Sequence, residues 1–535
     1  MWKRISRMIR TAGIAIALLP FTAAADAQSP APRPLSLREA TEMALGNSPD
    51  LAIARAAVQA SGFELTAARG AYDPALKFSS FFDRSRTPIT DLFSASRSGG
   101  PAIASSGITQ SARFEGLSRW GGGRYGVEFA SGRETTSNLF SAFGRFNRTS
   151  LSVSYTQPLW RGRAYDAPRR QLDIARRNAD LTDAMFRQRV IGLVVAVQTS
   201  YWELAFAQQR LATQRAILVD AETQLASTRR QAQQGLLAAS DISAAEAQVA
   251  RFEGDLHRAE EAVSRAQNAL KTLLAADERD PIWNETVTPT DPELSIDALP
   301  APAEAMDLAL AHRPEFRQLD ANVAINQARL RDAREQTRPQ ADLTVSYSLN
   351  GLAGRLNPGA GADAGNLFVS PPPAQLAGGF GNALAGMFRN RFNELRVGVT
   401  IAFPLRNRTA KGELGQTLAE NDRLTAERRK LAIAIQAEVR DALQAVQSAE
   451  ARQQAAARAK RAAEREYESE RRRFAGGIEE ASLFLLLEKQ RQTAAAALDL
   501  LRTRIEQRQT WIELQRATGT LLQRNEIRLV AALAK

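Results

Sequence analysis

Two long stretches of the chain carry the hydrophobic pattern of helices. Residues 169–280 and 405–535 contain no proline and are rich in Ala, Leu, Gln, Glu and Arg, which favour helices. In the first, an apolar residue recurs at every seventh position, which predicts a left-handed coiled-coil seam: Val190, Val197, Leu204, Leu211, Leu218 and Leu225. Glycine interrupts both stretches, at Gly235 and at Gly476 and Gly477. We predict two helical hairpins, and the rising arm of the first, residues 169–234, would be about 100 Å long.

Two segments of the second half instead alternate apolar with polar residues, as strands do. The apolar positions are Leu343, Val345, Tyr347 and Leu349 in one segment, and Leu395, Val397, Val399, Ile401 and Phe403 in the other. Each run is close to the ~9–11 residues that a membrane-spanning strand requires. Residues 351–391 between them are predicted to form a loop that is too rich in glycine for a helix.

Strands are also predicted in the first half, where the alternation is weaker. An outer pair is marked by Leu76, Phe78 and Phe82, and by Leu151, Val153 and Tyr155 before Pro158. We interpret two weaker candidates, around residues 112–117 and 125–129, as an extra hairpin between them. A soluble antiparallel sheet is the alternative, but a single hairpin in each half would leave its edges and both faces exposed.

The chain also repeats itself. Residues 40–74 align with residues 305–339 without a gap, so that Pro49 matches Pro314 and Pro74 matches Pro339. The glycine turns match as well, Gly235 with Gly477. The order helix, strand, strand, long helix, turn, long helix therefore occurs twice, and we predict repeats at residues 28–290 and 291–535.

The first 27 residues have the pattern of a cleaved secretory signal. Basic residues precede a short apolar run, Ala12–Leu19, and Ala25-Asp26-Ala27 resembles a cleavage site. No later stretch approaches ~18 continuous apolar residues, so a membrane location would depend on β-strands.

Composition excludes several other classes of protein. Cysteine is absent, which excludes disulfides and thiolate zinc sites, and the two histidines, His257 and His312, are isolated. The net charge of +12 suggests nucleic acid as a partner, but the basic residues are dispersed and the signal predicts export. Residues 121–123 lack the Gly-Lys-Ser/Thr of a phosphate loop. We predict no enzyme activity, no catalytic residues, no cofactor, no metal and no nucleic-acid partner.

Four motifs resemble those of the outer membrane efflux protein family, the TolC-like channels. They are the opening helix at residues 35–51, the passage into a strand at residues 69–74, the return from a strand at residues 157–162, and the hairpin turn at residues 235–242. The resemblance covers nearly the whole mature chain.

The resemblance implies an α+β membrane protein in the outer membrane of a Gram-negative bacterium. Three subunits would share a lipid-embedded β-barrel, each giving about four strands, continued by a long periplasmic α-helical coiled-coil barrel. The function implied is passive conduction of substrate delivered by an inner-membrane transporter and a periplasmic adaptor, with efflux favoured. A type I protein secretion duct is the alternative. A periplasmic adaptor and a fibrous surface protein are alternatives from other classes, although an adaptor has one such hairpin.

The resemblance also directs attention to the hairpin tips. Adaptor docking would fall on Gly235, Leu236, Leu237, Gly477 and Ile478. A periplasmic aperture would involve Asp241, Glu479, Glu480, Leu483 and Leu486, the leucines standing where the family often has aspartates. Solvated acids at a helix N-terminus are the alternative interpretation of the three carboxylates. Tyr155, Trp160 and Tyr347 suit an aromatic belt or packing at the junction of barrel and helices.

Overall fold

The structure is a computed structural model that describes residues 33–89, 101–138, 141–235, 237–291, 298–357, 373–476 and 482–527. The predicted signal at residues 1–27 lies outside them. The elements of the first half are β1 (Arg33–Leu35), α1 (Leu37–Asn47), α2 (Pro49–Arg69), β2 (Ala75–Pro88), β3 (Ala102–Leu117), β4 (Arg124–Thr136), β5 (Phe143–Pro158), α3 (Ala167–Gln233), α4 (Ala239–Leu274) and β6 (Val287–Pro289). Those of the second half are α5 (Pro302–His312), α6 (Pro314–Gln336), β7 (Gln340–Leu356), α7 (Phe380–Phe388), β8 (Phe392–Ala402), α8 (Arg408–Ala475), α9 (Leu483–Ala517) and α10 (Leu521–Arg524).

The two long hairpins are confirmed. Helix α3 has 67 residues and α8 has 68, so each is about 100 Å long. Helix α3 packs along α4, and α8 packs along α9. Gly235 has a φ of +76° at the first turn, a left-handed conformation that glycine adopts without a steric penalty. The first half of the heptad seam is confirmed, since Val190, Val197 and Leu204 are fully buried, whereas Leu211, Leu218 and Leu225 further along α3 are half-buried.

Short helices begin each half, and local sequence sets where they start. The Ser36 hydroxyl caps α1 by accepting from the Glu39 N–H at 3.2 Å, while the Glu39 carboxylate accepts from the Ser36 N–H at 3.0 Å. Pro49 and Pro314 open α2 and α6, at a position where a missing N–H costs nothing. The predicted order of short helix, proline break and second helix is thus present in both halves.

Equivalent positions of the two copies are buried in equivalent ways. Ala40 and Ala44 of α1 lie in a core with Val190, Val194, Val197 and Tyr201 of α3 and Leu270 and Leu274 of α4. Ala305 and Ala309 of α5 lie in a second core with Ile435, Val439 and Val446 of α8 and Trp511 of α9. The internal duplication is therefore a property of the packing as well as of the sequence.

Strands β1 and β6 form a small parallel sheet beside the first core. Asp291, just beyond β6, accepts hydrogen bonds from the Leu37 N–H at 2.6 Å and from the Tyr201 hydroxyl. Burial raises the pKa of Tyr201 to about 12, and its hydrogen bond to Asp291 acts in the same direction. The phenol therefore remains a donor that ties the beginning of the described chain to the middle of α3.

The main sheet has six strands in the order β2-β3-β4-β5-β7-β8, and all neighbours are antiparallel. This corrects the expected count of about four strands per subunit. The predicted extra hairpin is present as β3 and β4, which have 16 and 13 residues. Both strands are full members of the sheet, between β2 and β5. Their alternate positions hold Ala, Ser, Gly and Thr as well as large apolar residues, which weakens the sequence signal without weakening the pairing.

The prediction that residues 351–391 form only a loop is wrong. Strand β7 continues to Leu356, and the nine residues of α7 are helical despite two glycines. Ala383 and Met387 of α7 are fully buried, and the Ala383 carbonyl lies so close to Gly351 of β7 that a Cβ there would be 2.0 Å away. Packing against the strand thus outweighs the low helix propensity of glycine.

One helix of the described chain, α3, is long and apolar enough to cross a membrane by length and composition alone. Of its most apolar window, 44% is buried inside the molecule, and this part of α3 supplies much of the first core. A buried core helix passes the same test, so we assign this segment to the core.

Candidate functional site

The six-stranded sheet has one apolar and one polar face. A row that runs across all six strands shows the apolar face: Leu76, Phe114, Val127, Val153, Tyr347 and Leu395. The next row shows the polar face: Lys77, Arg113, Glu128, Ser152, Ser348 and Glu394. Because side chains alternate along every strand, the row of Phe78, Ala112, Phe129, Leu151 and Leu349 continues the apolar face, whereas the row of Ser80, Gln110, Ser131 and Thr149 beyond it is polar. The division therefore holds over the half of the sheet that lies nearer the helices. Membrane-spanning barrels have the same division, with lipid on the apolar side and water on the other.

The apolar face is strongly exposed in the single chain. Leu76, Phe78 and Phe82 of β2 are 68–75% exposed, and Leu395, Val397, Val399 and Ile401 of β8 are 51–65% exposed. Soluble monomers rarely expose contiguous apolar surface of this kind, which marks contact with a membrane or with another protein. The exposure therefore favours lipid as the neighbour of this face.

The polar face carries an ion-pair ladder across three strands. Lys77 of β2 pairs with Glu115 of β3, and Arg113 of β3 pairs with Glu115 at 2.9 Å and with Glu128 of β4 at 3.7 Å. Further toward the loop end of the strands, this face curves around a pocket of about 650 Å³ whose lining includes Asp83, Arg148 and Asn350. A charged, concave face is suited to water and dissolved solutes and unsuited to lipid.

The aromatic residues predicted near the junction lie at the helix end of the sheet or on its apolar face. Trp160, just beyond β5, makes an edge contact with Phe403, just beyond β8, at 6.5 Å between ring centroids. The Tyr155 hydroxyl donates to Gln157 at 2.7 Å, and the Tyr347 hydroxyl donates to Asn390 at 3.0 Å. All three rings are partly exposed, so the geometry is compatible with both the belt and the packing interpretation.

The tip of the first hairpin is a tight turn between α3 and α4. Gly235 and Leu237 lie in it, and Leu236 lies outside the described residues. The Asp241 carboxylate accepts from the Ala238 N–H at 3.1 Å, so it caps the start of α4. Asp241 is half-buried and therefore has a structural role whether or not it also faces a pore.

The tip of the second hairpin requires a correction. Gly477, Ile478, Glu479 and Glu480 lie outside the described residues. Leu483 and Leu486 are 4% and 1% exposed, so these two side chains pack inside the chain and have no free surface for constricting a pore. Phe484, which the sequence-based prediction passed over, is 80% exposed between them. The sequence places an apolar run here but does not tell which residue of the run faces outward.

A polar link that the sequence did not reveal joins the two hairpins. The Asp220 carboxylate of α3 accepts from the Tyr467 hydroxyl of α8 and from the Gln490 amide of α9, both at 2.9 Å. Burial and the nearby Asp220 charge raise the pKa of Tyr467, so its hydroxyl stays protonated and remains a donor. Tyr467 is 247 residues from Asp220, and no local motif marks either residue.

A small apolar cluster lies beside this link. Ala221 of α3, Val249 and Phe252 of α4, and Ala494 of α9 are all buried in it. The Gln248 amide of α4 also donates to the Leu487 carbonyl of α9 at 3.4 Å. The hairpins of one chain thus contact each other through apolar packing and hydrogen bonds near their tips.

The described residues contain no group of three or more His, Cys, Asp and Glu side chains that could hold a metal ion. His257 lies 3.1 Å from Glu260 on α4, and His312 lies 3.0 Å from the Leu308 carbonyl at the end of α5. Both contacts are local to their helices.

Comparison with known proteins adds independent evidence. A family model described as outer membrane efflux protein matches residues 125–276 and 305–520. The fold is similar to that of the outer-membrane channel OprN, at 17% identity and a TM-score of 0.64, over 90% of this chain and 89% of that one. Similar structures include CmeC of Campylobacter jejuni (15% identity, TM-score 0.61, 91% of this chain and 86% of that one) and VceC of Vibrio cholerae (16%, 0.61, 90% and 96%). None of the curated proteins matches the sequence significantly.

Proposed function

Because this chain belongs to the outer membrane efflux protein family, we propose that it is the outer-membrane exit duct of a tripartite export system. In this proposal an inner-membrane transporter supplies the energy, a periplasmic adaptor docks on the helical hairpins, and three copies of the chain conduct the substrate passively. The protein lies in the outer membrane of a Gram-negative bacterium and extends into the periplasm.

One observation carries the proposal. A sheet with an apolar outer face and a charged concave face continues directly into hairpins about 100 Å long. Such a sheet separates lipid from water, and the hairpins are long enough to extend far from the membrane. Four strands connect to a helix at the same end of the sheet: β2 and β5 in the first half, and β7 and β8 in the second. The aqueous side of the sheet can therefore continue as an aqueous side of the helices.

We place adaptor docking at the tips, on Gly235, Leu236, Leu237, Gly477 and Ile478. We place the aperture at Asp241, Glu479 and Glu480, with Phe484 in place of Leu483 and Leu486. Phe484 fits because it is the exposed apolar side chain of its run, at the same end of the molecule as the capping residue Asp241. Near this end, the hydrogen bonds from Tyr467 and Gln490 to Asp220 join the two hairpins. They support an aperture that stays narrow until the hairpins separate.

The test is export in living cells. The chain is expressed with the adaptor and transporter encoded beside its gene, in a Gram-negative host that lacks its own outer-membrane duct, and intracellular ethidium and the export of the transporter's own substrate are measured. We expect ethidium accumulation to fall, or that substrate to leave the cell, only when all three proteins are present. The matched control replaces Leu237 with Asp at the tip and leaves the sheet unchanged. A chain that reaches the outer membrane but changes neither readout contradicts the proposal.

A further inference from the structure

The sheet is incomplete in a single chain. Within the described residues, β2 pairs only with β3, and β8 pairs only with β7, so each presents one unpaired edge. In the hydrocarbon of a bilayer every unpaired backbone N–H and C=O costs several kcal/mol, and spanning sheets are therefore closed. Both edges must find a partner strand when the protein is in its membrane.

Six strands are too few to close around a water-filled passage. Even a barrel of 8 strands has an interior just wide enough to be filled by side chains. The polar face of this sheet carries long charged side chains on at least three strands, including Lys77, Arg113 and Glu128, and six strands would enclose too little space to hold them. A closed sheet with this polar interior therefore needs strands from additional copies of the chain.

The two edges are complementary to each other. Because successive strands of the sheet alternate in direction, β8 runs opposite to β2. Placing β8 of one copy beside β2 of the next therefore continues the antiparallel pattern. It also aligns Leu395, Val397 and Val399 with Leu76 and Phe78 on one continuous apolar face.

The hairpin of β3 and β4 is built into this sheet as firmly as its neighbours. It pairs with β2 over 14 residues and with β5 over 12 residues. The Arg119 carbonyl in its turn accepts from Arg169 of α3 at 2.9 Å, and the Gly121 carbonyl accepts from Gln157 of β5 at 2.7 Å. A Cβ on Gly122 would lie 2.5 Å from the Gly162 carbonyl, so the turn fits closely against the start of α3.

In the trimer of the proposed function, the edge strand β8 of each copy meets β2 of the next; we propose that the β3–β4 hairpins are themselves barrel strands, so that three copies close an eighteen-stranded barrel to which these hairpins contribute six strands. The number of copies rests on the proposed function. Four strands per subunit would give twelve. Since barrel diameter grows roughly linearly with strand number, the passage through the membrane is about 1.5 times as wide as a twelve-stranded one.

Disulfide trapping tests the edge pairing, and the absence of native cysteine makes the background clean. Single cysteines on the polar face of β2 are combined pairwise with single cysteines on the polar face of β8. The β2 positions are Lys77, Ser79, Phe81 and Asp83, and the β8 positions are Glu394, Arg396, Gly398 and Thr400. We expect at least one combination to give covalent dimers and trimers, and no larger species, when outer membranes are oxidised.

Two controls define the outcome. Cysteines replacing Ser111 and Ala130, which lie opposite each other on β3 and β4, form a disulfide within one chain. Cysteine replacing Ser80, on the apolar face of β2, gives no bond with the β8 positions. A β2–β8 disulfide that migrates as a monomer overturns the proposal, because the chain then closes on itself. The proposal is also overturned if no combination of β2 and β8 cysteines gives a disulfide while the Ser111–Ala130 control pair does.

Excision of residues 102–136 tests the strand count. Leu76 and Val153 lie in the same row and face the same side, and β2 and β5 run in opposite directions, so these strands can pair directly once the hairpin is gone. We expect electron-microscopic projections of purified trimers to show a barrel about two-thirds as wide as in the full chain. Equal diameters overturn the proposal. Neither experiment depends on export, so a failure of the proposed function remains distinguishable from a failure of this inference.

Discussion

Asp220, Tyr467 and Gln490 form the polar contact between the two hairpins of one chain, and each residue comes from a different helix. The Asp220 carboxylate is the shared acceptor, so the loss of any donor loosens the contact without removing a hydrophobic side chain. Hydrogen bonds to a charged group contribute about 1.5–3 kcal/mol each. Side chains of this kind can therefore set how easily the tips separate.

Tyr467→Phe removes one of these donors while preserving the ring. We expect the purified channel to show a larger single-channel conductance, because the hairpins separate more easily when a bond of about 1.5 kcal/mol is lost. Tyr165→Phe is the matched control, since the Tyr165 hydroxyl donates to Asp173, which lies in the first turns of α3, near the sheet. If both variants conduct like the unaltered protein, the link does not restrain the tips.

Glu315 illustrates a pH dependence at the residue scale. Burial opposes its ionisation, but Arg313, whose side chain is 6% exposed, donates to it at 2.9 and 3.2 Å and holds the pKa of Glu315 below its usual value. A lowered folded-state pKa means that this ion pair stabilises the fold above the unfolded pKa of about 4.3. The stabilisation is lost as pH falls through the lower folded-state value.

We therefore expect Glu315→Gln to lower the free energy of unfolding by about 2 kcal/mol at pH 7. The difference from the unaltered protein should be smaller at pH 3, because the contribution of the ion pair declines once the pH falls below the unfolded pKa of about 4.3. Thermal unfolding in detergent, followed by circular dichroism, measures both values. Glu427→Gln on α8 is the control, because its partner Arg423 is exposed and water screens such a pair. A Glu315 effect that is the same at both pH values contradicts the assignment.

At the scale of elements, helix α7 is held on the sheet by a very close approach. Its Ala383 carbonyl occupies the position where a side chain on Gly351 of β7 would begin. Gly351→Val should displace α7 from the strand and make the segment between β7 and β8 sensitive to protease added to intact cells. Gly398→Val on β8, where no atom lies within 4 Å of the new Cβ, is the matched control. Equal protease resistance of the two variants would show that α7 does not depend on this contact.

The elements also differ in how well the sequence predicts them. The long helices are marked along their whole length by the absence of proline, the seven-residue repeat and the glycine turns, and their bounds were predicted closely. Strands β3 and β4 were underestimated because small residues such as Ala104, Gly107 and Ser131 occupy many positions of the sheet. Helix α7 was missed because its stability comes from packing on β7, a contact that local sequence does not encode.

The candidate site was predicted less completely than the fold. The hairpin tips were identified from glycine, but the burial of Leu483 and Leu486 and the exposure of Phe484 depend on how two hairpins pack. The Asp220 link depends on a contact across 247 residues. Partners that are distant in sequence and unmarked by any motif cannot be paired from a single chain.

At the scale of the whole molecule, we expect the copies of this chain together to enclose a continuous aqueous passage through a membrane. In this arrangement the apolar face of the sheet would meet lipid, the polar face would meet water, and the hairpins would extend the passage by about 100 Å on one side.

The most direct measurement is the ionic current through a planar lipid bilayer after adding the purified, disulfide-trapped trimer. The account predicts stepwise increases in conductance of uniform size, and larger steps for Tyr467→Phe. A trimer that inserts into the bilayer and carries no current, even after the Tyr467→Phe substitution, would contradict the central claim.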